Sequence, residues 1–292
     1  MFINAKAGDN YKYHTLTSIT STTEINNQKN TTNQDTTTDL IFSVDNVDSE
    51  GNLSLSYKYD KIKLDIDANG VKQIIDSSSS DSSDTQSALY KSIIGKGFTT
   101  KMTKLGEVTE VNGIDKLIDS MVESMNSSND ESIKANVDEA KESLKSSFGD
   151  KTIKLIIQQS TRIFPDKNVK VGDSWEIGNT INSVVEIDTK TVYTLDKVED
   201  KIAYISVKSE YKTDSSKPSD YMGMEMTTDI TGVMLGTIKV DTRNCLLSEG
   251  DLTQTTKGTM GLKAPGTEGA QNETVEIPID SLSKIIYSTT KM

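Results

Sequence analysis

From Thr36 to Asp76 the sequence TTTDLIFSVDNVDSEGNLSLSYKYDKIKLDIDANGVKQIID places apolar residues at alternate positions, and this restricts the fold more than any other feature. Leu40, Phe42 and Val44 share one face, followed by Leu53, Leu55, Tyr57 and Tyr59, then Ile62, Leu64 and Ile66. Successive side chains on a strand point to opposite faces, so this period predicts strands with one buried face and one wetted face. Between the runs, DSEGN and DANG supply the Asp, Asn and Gly that turns require. The stretch reads as an antiparallel meander.

A similar order returns later in the chain. GDNYKY (Gly8, Asp9, Tyr11) resembles GDSWEI (Gly172, Asp173, Trp175), and Phe42, Val44, Asp45 and Val47 align with Tyr193, Leu195, Asp196 and Val198. Leu53, Leu55 and Tyr59 align with Ile205, Val207 and Tyr211, and GFTTKMTKLGEVTEV is answered by GVMLGTIKVDTRNCLLSEGDLT. Between the two β regions the period changes. Leu117, Ile118, Met121, Val122 and Met125 recur at helical spacing. A second helix is predicted from Asn129 or Asp130 to just before Gly149, with Ile133, Val137, Ala140, Leu144 and Phe148 in one stripe. KTIKLIIQQS is read as a short helix capped by Asp150, and the polar run DSSSSDSSDTQS (76–87) as a loop. The predicted fold is α+β and predominantly antiparallel β. It is a duplicated curved sheet, an open half-barrel, with helices from the middle of the chain packed across it. Residues 1–112 form a first β half, 113–168 a helical connection and 169–292 a second β half, as one compact unit or two related lobes.

Composition narrows the functional classes. The 292 residues carry a formal net charge of −12 and no basic cluster, so phosphate backbones are repelled and nucleic acid is not an expected partner. The single cysteine, Cys245, rules out an intrachain disulfide, and with the single histidine, His14, it cannot build a Cys/His zinc site. Cys245 in RNCLLSEG reads as a buried residue on a strand, and His14 has no acid close to it in sequence. No nucleophile elbow or phosphate-cradling glycine loop is present, so no catalytic residues, no enzyme activity and no cofactor are expected. The chain contains no apolar run of about 18 residues that would span a bilayer as a helix.

One segment invites a metal. In DIDANGVKQIID, Asp65, Asp67 and Asn69 fall where a calcium loop places its first ligands, with Asp76 at the last position. Asp65 ends an alternating run and Asn69-Gly70 suits a hairpin, so the segment is read as a turn, with calcium as the competing reading.

The segment FPDKNVKVGDSWEIGNTI, with Pro165, Gly172, Asp173 and Trp175, follows a helical middle and a GDNYKY opening. On these motifs the chain resembles a family of uncharacterised bacterial envelope proteins, secreted proteins or lipoproteins of unknown function. Its duplicated plan is similar to the half-barrel of periplasmic lipoprotein carriers. The resemblance implies an exported protein, extracellular or in the cell envelope, with any membrane tether belonging to a segment ahead of Met1. The expected function is non-enzymatic binding of a lipid or other hydrophobic ligand on a concave β face, and Trp175, Met121, Met125 and Leu144 are the candidate contacts. The alternative is a structural or adhesive surface protein that contacts proteins or glycans.

Overall fold

The computed structural model describes residues 2–25, 28–81, 84–127, 137–182, 185–221, 224–263 and 274–292. The first β region contains β1 (Asn10–Ile25), β2 (Gln28–Val47), β3 (Leu53–Ala68), β4 (Val71–Asp76), β5 (Gly97–Met102) and β6 (Val108–Asn112). A short helix α1 (Thr85–Lys91) lies between β4 and β5. The middle holds α2 (Ile114–Asn126), α3 (Val137–Phe148) and α4 (Asp150–Thr161). The second β region contains β7 (Ser174–Asn182), β8 (Glu186–Glu199), β9 (Ile202–Thr213), β10 (Ser219–Tyr221), β11 (Met224–Asp241), β12 (Leu246–Lys263) and β13 (Thr274–Lys291).

These strands form one continuous antiparallel sheet in the order β6-β5-β3-β2-β1-β13-β12-β11-β9-β8-β7, with β4 beside β3 and β10 beside β11. The sheet is open, and the repeat read from the sequence is its organising plan. The order 6-5-3-2-1 recurs as 12-11-9-8-7, and β13 lies between the two copies.

The copies match bond for bond at their first turn. Gly8 N–H donates to the Val44 carbonyl and Gly172 N–H to that of Leu195, both at 2.8 Å. The carbonyls of Asp9 and Asp173 accept from Val44 and Leu195, and their carboxylates accept from the N–H groups of Lys6 and Lys170. Both glycines have positive φ, +89° and +93°. Tyr11 stacks on Phe42 as Trp175 stacks on Tyr193, each with an interplanar angle of 18°. Each copy also has a bulge at one aspartate, Asp45 or Asp196, which accepts a hydrogen bond from Ser56 or Ser206. These bulges correct the alignment of the third strand. Val44 pairs with Leu55 and Leu195 with Ile205, so Leu55, not Leu53, is the counterpart of Ile205.

The apolar core sits at one end of the sheet and includes Tyr11, Val44, Leu55, Ile205, Ile238 and Tyr287. A second bulge, at Asp60, keeps Tyr59 and Ile62 on the same face although their numbers differ in parity. The N-terminal segment crosses this end. Ile3 N–H donates to the Lys104 carbonyl and Asn4 N–H to that of Asn244, so one segment ties together a turn from each copy. Cys245 is buried, but it lies in the 242–245 turn with φ +54°, not on a strand. It occupies the position that Gly106 holds in the other copy.

The helices differ from expectation in detail. α2 packs on β5, α1 and α3, whereas α4 packs on β6 and reaches β12, so the third helix makes the broader contact with the sheet. α3 lies against α2 and α4. The predicted start of that second helix near Asn129, and Ile133 within it, lie outside the described residues. Gly149 caps α4, and Asp150 sits in its first turn rather than at the cap. Within the run read as a loop, Asp84 caps α1 by accepting from the Ser87 N–H at 2.9 Å. Ser82 and Ser83 of that run lie outside the described residues.

The free edges β6 and β7 are joined through α4 and the residues after it. Val108 N–H on β6 donates to Gln158 of α4, Arg162 donates to Asn179 on β7, and Trp175 on β7 donates its indole N–H to the Ile163 carbonyl at 2.8 Å. Both exposed edges thus gain partners without pairing to each other.

Candidate functional site

The register defines which side chains face inward. Alternate residues from Tyr11 to Thr23 on β1, Thr32 to Val44 on β2 and Ile62 to Ala68 on β3 point to the concave side. So do those from Thr189 to Leu195 on β8, Ala203 to Thr213 on β9, Met226 to Val240 on β11, Gly250 to Leu262 on β12 and Val275 to Thr289 on β13. Among these described positions there is no Asp, Glu, Lys or Arg, in a chain of which 26% is charged; Lys291, opposite Tyr11 at the end of β13, shares this face and pairs with Asp9. The charges line the outer face, where they pair across strands, as Lys239 does with Glu249 and Lys190 with Glu176.

Length decides how much of the concave face the helices cover. β2 has 20 residues and β11, β12 and β13 have 18 each, which gives spans of roughly 60 Å. α4 has 12 residues and spans about 18 Å. The helices therefore cover the core end only. Beyond them Ile19 and Ile279 remain half-buried on the inner wall, interleaved with Thr17, Thr36 and Ser281, while Leu64, Met234 and Ile285 pack against the margin of the core.

Where the packed core meets this wall, tyrosines gather. Tyr13 and Tyr287 have ring centroids 6.1 Å apart. The Tyr287 ring lies across Gly250, its direct cross-strand partner, where a Cβ would come within 2.1 Å of it. Tyr193 on β8 stacks on Trp175, with ring centroids 5.7 Å apart. Burial pushes the phenols of Tyr13 and Tyr193 up to about 12 and that of Tyr287 higher still.

The candidate contacts separate on this framework. Met121 and Trp175 are buried in the packed core, and the Trp175 N–H is already bonded to Ile163. Met125 and Leu144 are half-buried on α2 and α3. The inner wall is carried instead by β1, β3, β11 and β13. The sequence signal for β13 was the alternation Ile277, Ile279, Ser281, Ser283, Ile285, Tyr287, which Leu282 and Ile286 on the outer face obscure.

Asp65, Asp67, Asn69 and Asp76 do not converge as a metal cage, and no metal-binding cluster occurs among the described residues. Asn69 and Gly70 have φ of +51° and +86°, the conformation of a tight hairpin between β3 and β4. Asp67 accepts from Gly70 N–H, Asp65 pairs with Lys63 at 2.8 Å, and Asp76 accepts from Ser78.

Two features of the outer face complete the inventory. A groove of about 510 Å³ crosses β8, β9, β11 and β12. In it Asp188 lies opposite Lys212 and Lys190 opposite Glu210, so its charge is largely balanced. Elsewhere His14 Nδ1 lies 2.6 Å from Asp39 Oδ1, and Lys12 is 3.0 Å from the other carboxylate oxygen. Burial pushes the Asp39 carboxyl up, but hydrogen bonds from His14 and Lys12 outweigh it and hold the group below its ordinary value. The acid that His14 lacks in sequence comes from the neighbouring strand.

No curated protein matches the chain. Among solved structures, lipovitellin, described for its lipid–protein interactions, aligns with TM-score 0.49 and 9% identity over 98% of this chain and 26% of lipovitellin. The chain thus spans about a quarter of that protein. The outer membrane protein OprG of Pseudomonas aeruginosa aligns with TM-score 0.24 and 7% identity, over 99% of this chain and 98% of its own. A Pseudomonas putida outer membrane channel gives TM-score 0.26 and 7% identity, over 99% and 98% respectively. A protein family of unknown function, DUF6263, matches residues 50–247, from β3 through β11 and the helices between. As that match covers more than half of the sequence, the chain belongs to the DUF6263 family.

Proposed function

We propose that this chain is a non-enzymatic binding protein of the cell envelope that takes a lipid or other hydrophobic ligand on its concave β face. The observation that carries this reading is the inner wall beyond the helices, which is free of acidic and basic side chains and on which Ile19 and Ile279 are only half-buried. A chain folding for stability alone gains by covering such a surface. Each methylene laid on the wall contributes about 0.8 kcal/mol, so about fifteen are needed to offset an immobilisation cost of about 4 kcal/mol and leave affinity near the micromolar range. The envelope location draws on the resemblance of the GDSW segment to exported proteins.

The alternative, an adhesive surface protein, calls for a contiguous apolar patch on the outer face. The outward Leu235, Leu282 and Ile286 are exposed, but Thr253, Thr255 and Lys284 separate them. Native mass spectrometry of gently purified protein tests the binding reading. We expect an added mass that organic extraction removes and that returns when lipid is supplied. A bare mass that no lipid class alters would refute it.

A further inference from the structure

We infer that the ligand carries an uncharged hydrogen-bonding group, an ester or amide, part-way along an apolar chain, and that this group seats against a polar belt running across β13, β12, β9 and β8. The inference rests on the reading of the concave face as the binding surface, and it specifies what that surface selects.

The strand register lays the inner wall out in rows. Ser283, Gln254, Ser209 and Thr191 stand in one row, and Ser281, Thr256, Tyr211 and Thr189 in the next. On the core side the adjoining row carries Ile285, Leu252 and Val207, and on the far side it carries Ile279, Ile230 and Ile187. Polar side chains thus form a band two rows deep between apolar flanks, broken on β11 by Met234.

The band is internally bonded. The Tyr211 ring lies across Gly232, where a Cβ would come within 2.1 Å of it, and so reaches over β11 to β12. There its hydroxyl bonds to Thr256 Oγ1 and accepts from Gln254 Nε2 at 2.9 Å, while Thr191 and Ser209 bond to each other at 2.8 Å. None of these side chains is charged. Lys291, at the core end of the same face, is held by Asp9 and lies eight residues from Ser283, about 27 Å along β13. A hydrocarbon laid along the wall would cover the belt and take its remaining hydrogen-bonding capacity away from water, at a cost. A carboxylate or phosphate there would be buried without a counterion. A polar group at the end of a chain would leave one apolar flank uncovered. A neutral ester or amide with chain on both sides matches the belt and both flanks together.

The test uses the full chain and three radiolabelled probes of equal chain length: a wax ester with its carbonyl near the middle, a fatty acid methyl ester and an alkane. Each is partitioned between the protein and neutral phosphatidylcholine vesicles. The expected result is retention of the wax ester about tenfold above the other two, as one or two hydrogen bonds would give. Moving the carbonyl along the chain in a series of esters should trace a maximum away from either end. Tyr211→Phe with Thr256→Val should bring retention of the wax ester down to that of the alkane, with Trp175 emission from the packed core verifying folding. The ester series uses the parent protein alone, so it decides the matter even where the double variant does not fold. Equal retention of wax ester and alkane, a maximum with the carbonyl at the chain end, or a preference that survives in the folded double variant overturns the inference and leaves the binding reading intact. Failure of the parent protein to retain any probe overturns both.

Discussion

The seam between the sheet edges can be tested by one methyl group. Gly106 has φ +85°, and a Cβ there would lie 1.9 Å from the Thr161 carbonyl oxygen and 2.9 Å from Arg162 N. Gly8 and Gly172 have nearly the same φ, with no atom within 4 Å of the corresponding Cβ. Gly8→Ala and Gly172→Ala therefore incur the left-handed backbone penalty alone, about 1–2 kcal/mol. Gly106→Ala incurs the same penalty and also displaces residues 161–162. This strains the 2.7 Å hydrogen bond from Thr161 Oγ1 to the Gly106 carbonyl, worth about 1 kcal/mol, and disturbs the buried Ile163 and Phe164 beside it. The expected loss is about 3–4 kcal/mol, roughly 2 kcal/mol beyond the controls, or several degrees in Tm for a chain of this size. Urea unfolding followed by Trp175 emission is the natural assay, since that indole is bonded to Ile163 within the seam. Equal losses at Gly106 and Gly8, within about 0.5 kcal/mol, would show that α4 and residues 161–164 do not join the two edges. Unequal losses at Gly8 and Gly172 would count against the equivalence of the two turns.

Trp175→Phe removes the indole N–H from the Ile163 carbonyl and should cost about 2–3 kcal/mol in urea unfolding while leaving lipid retention unchanged; a selective loss of retention would return Trp175 to the ligand surface. Acid should destabilise the fold through Asp9 and Asp39. Lys291 holds Asp9 below its ordinary value, and Asp39 is lowered as described above, so their contribution is complete above about pH 4 and fades as pH falls through the folded-state values. A Tm profile for Asp39→Asn that falls as steeply as the parent's below pH 4 would contradict this for Asp39. Millimolar calcium should leave Tm unmoved, whereas Gly70→Ala, at φ +86°, should lower stability by about 1–2 kcal/mol; a calcium-dependent rise in Tm that Asp67→Asn abolishes would revive the metal reading.

Much of this architecture could be read in the sequence because a two-residue period states which side chains share a face. Leu40, Phe42, Val44 and the set from Leu53 to Ile66 all point inward as that period requires, once the bulge at Asp60 absorbs the change of parity. The same period explains the misplaced third strand of the repeat. A slip of two residues keeps every side chain on its face, so Leu53 and Leu55 are equally good partners for Ile205 until the Asp45 and Asp196 bulges fix the register. Other features depended on long-range contacts. The helix at Thr85–Lys91 is hidden in a serine-rich run, where its Asp84 cap gives little warning. Cys245 lies in an apolar stretch that looks like a strand, and only the bonds from its N–H to the Asp241 carbonyl and from Asn4 N–H to the Asn244 carbonyl make it part of a turn.

The two copies also differ in a way that bears on function. The Lys-x-Gly-Asp turns, the stacked aromatic pairs and the aspartate bulges all lie at the core end and are preserved in both, as expected if they hold the fold. β13 has no counterpart in the order of the first copy, yet it pairs with β1 from Tyr11 to Thr23 and with β12 from Glu249 to Lys263. It thereby joins the copies and contributes Ile279, Ser281, Ile285 and Tyr287 to the inner wall. The half-buried wall is thus centred on the element that duplication does not explain. A strand serving only to join the copies could carry any inward side chains that pack. This one carries Ile279, Ser281, Ile285 and Tyr287 inward, so the joint between the copies coincides with the proposed ligand surface.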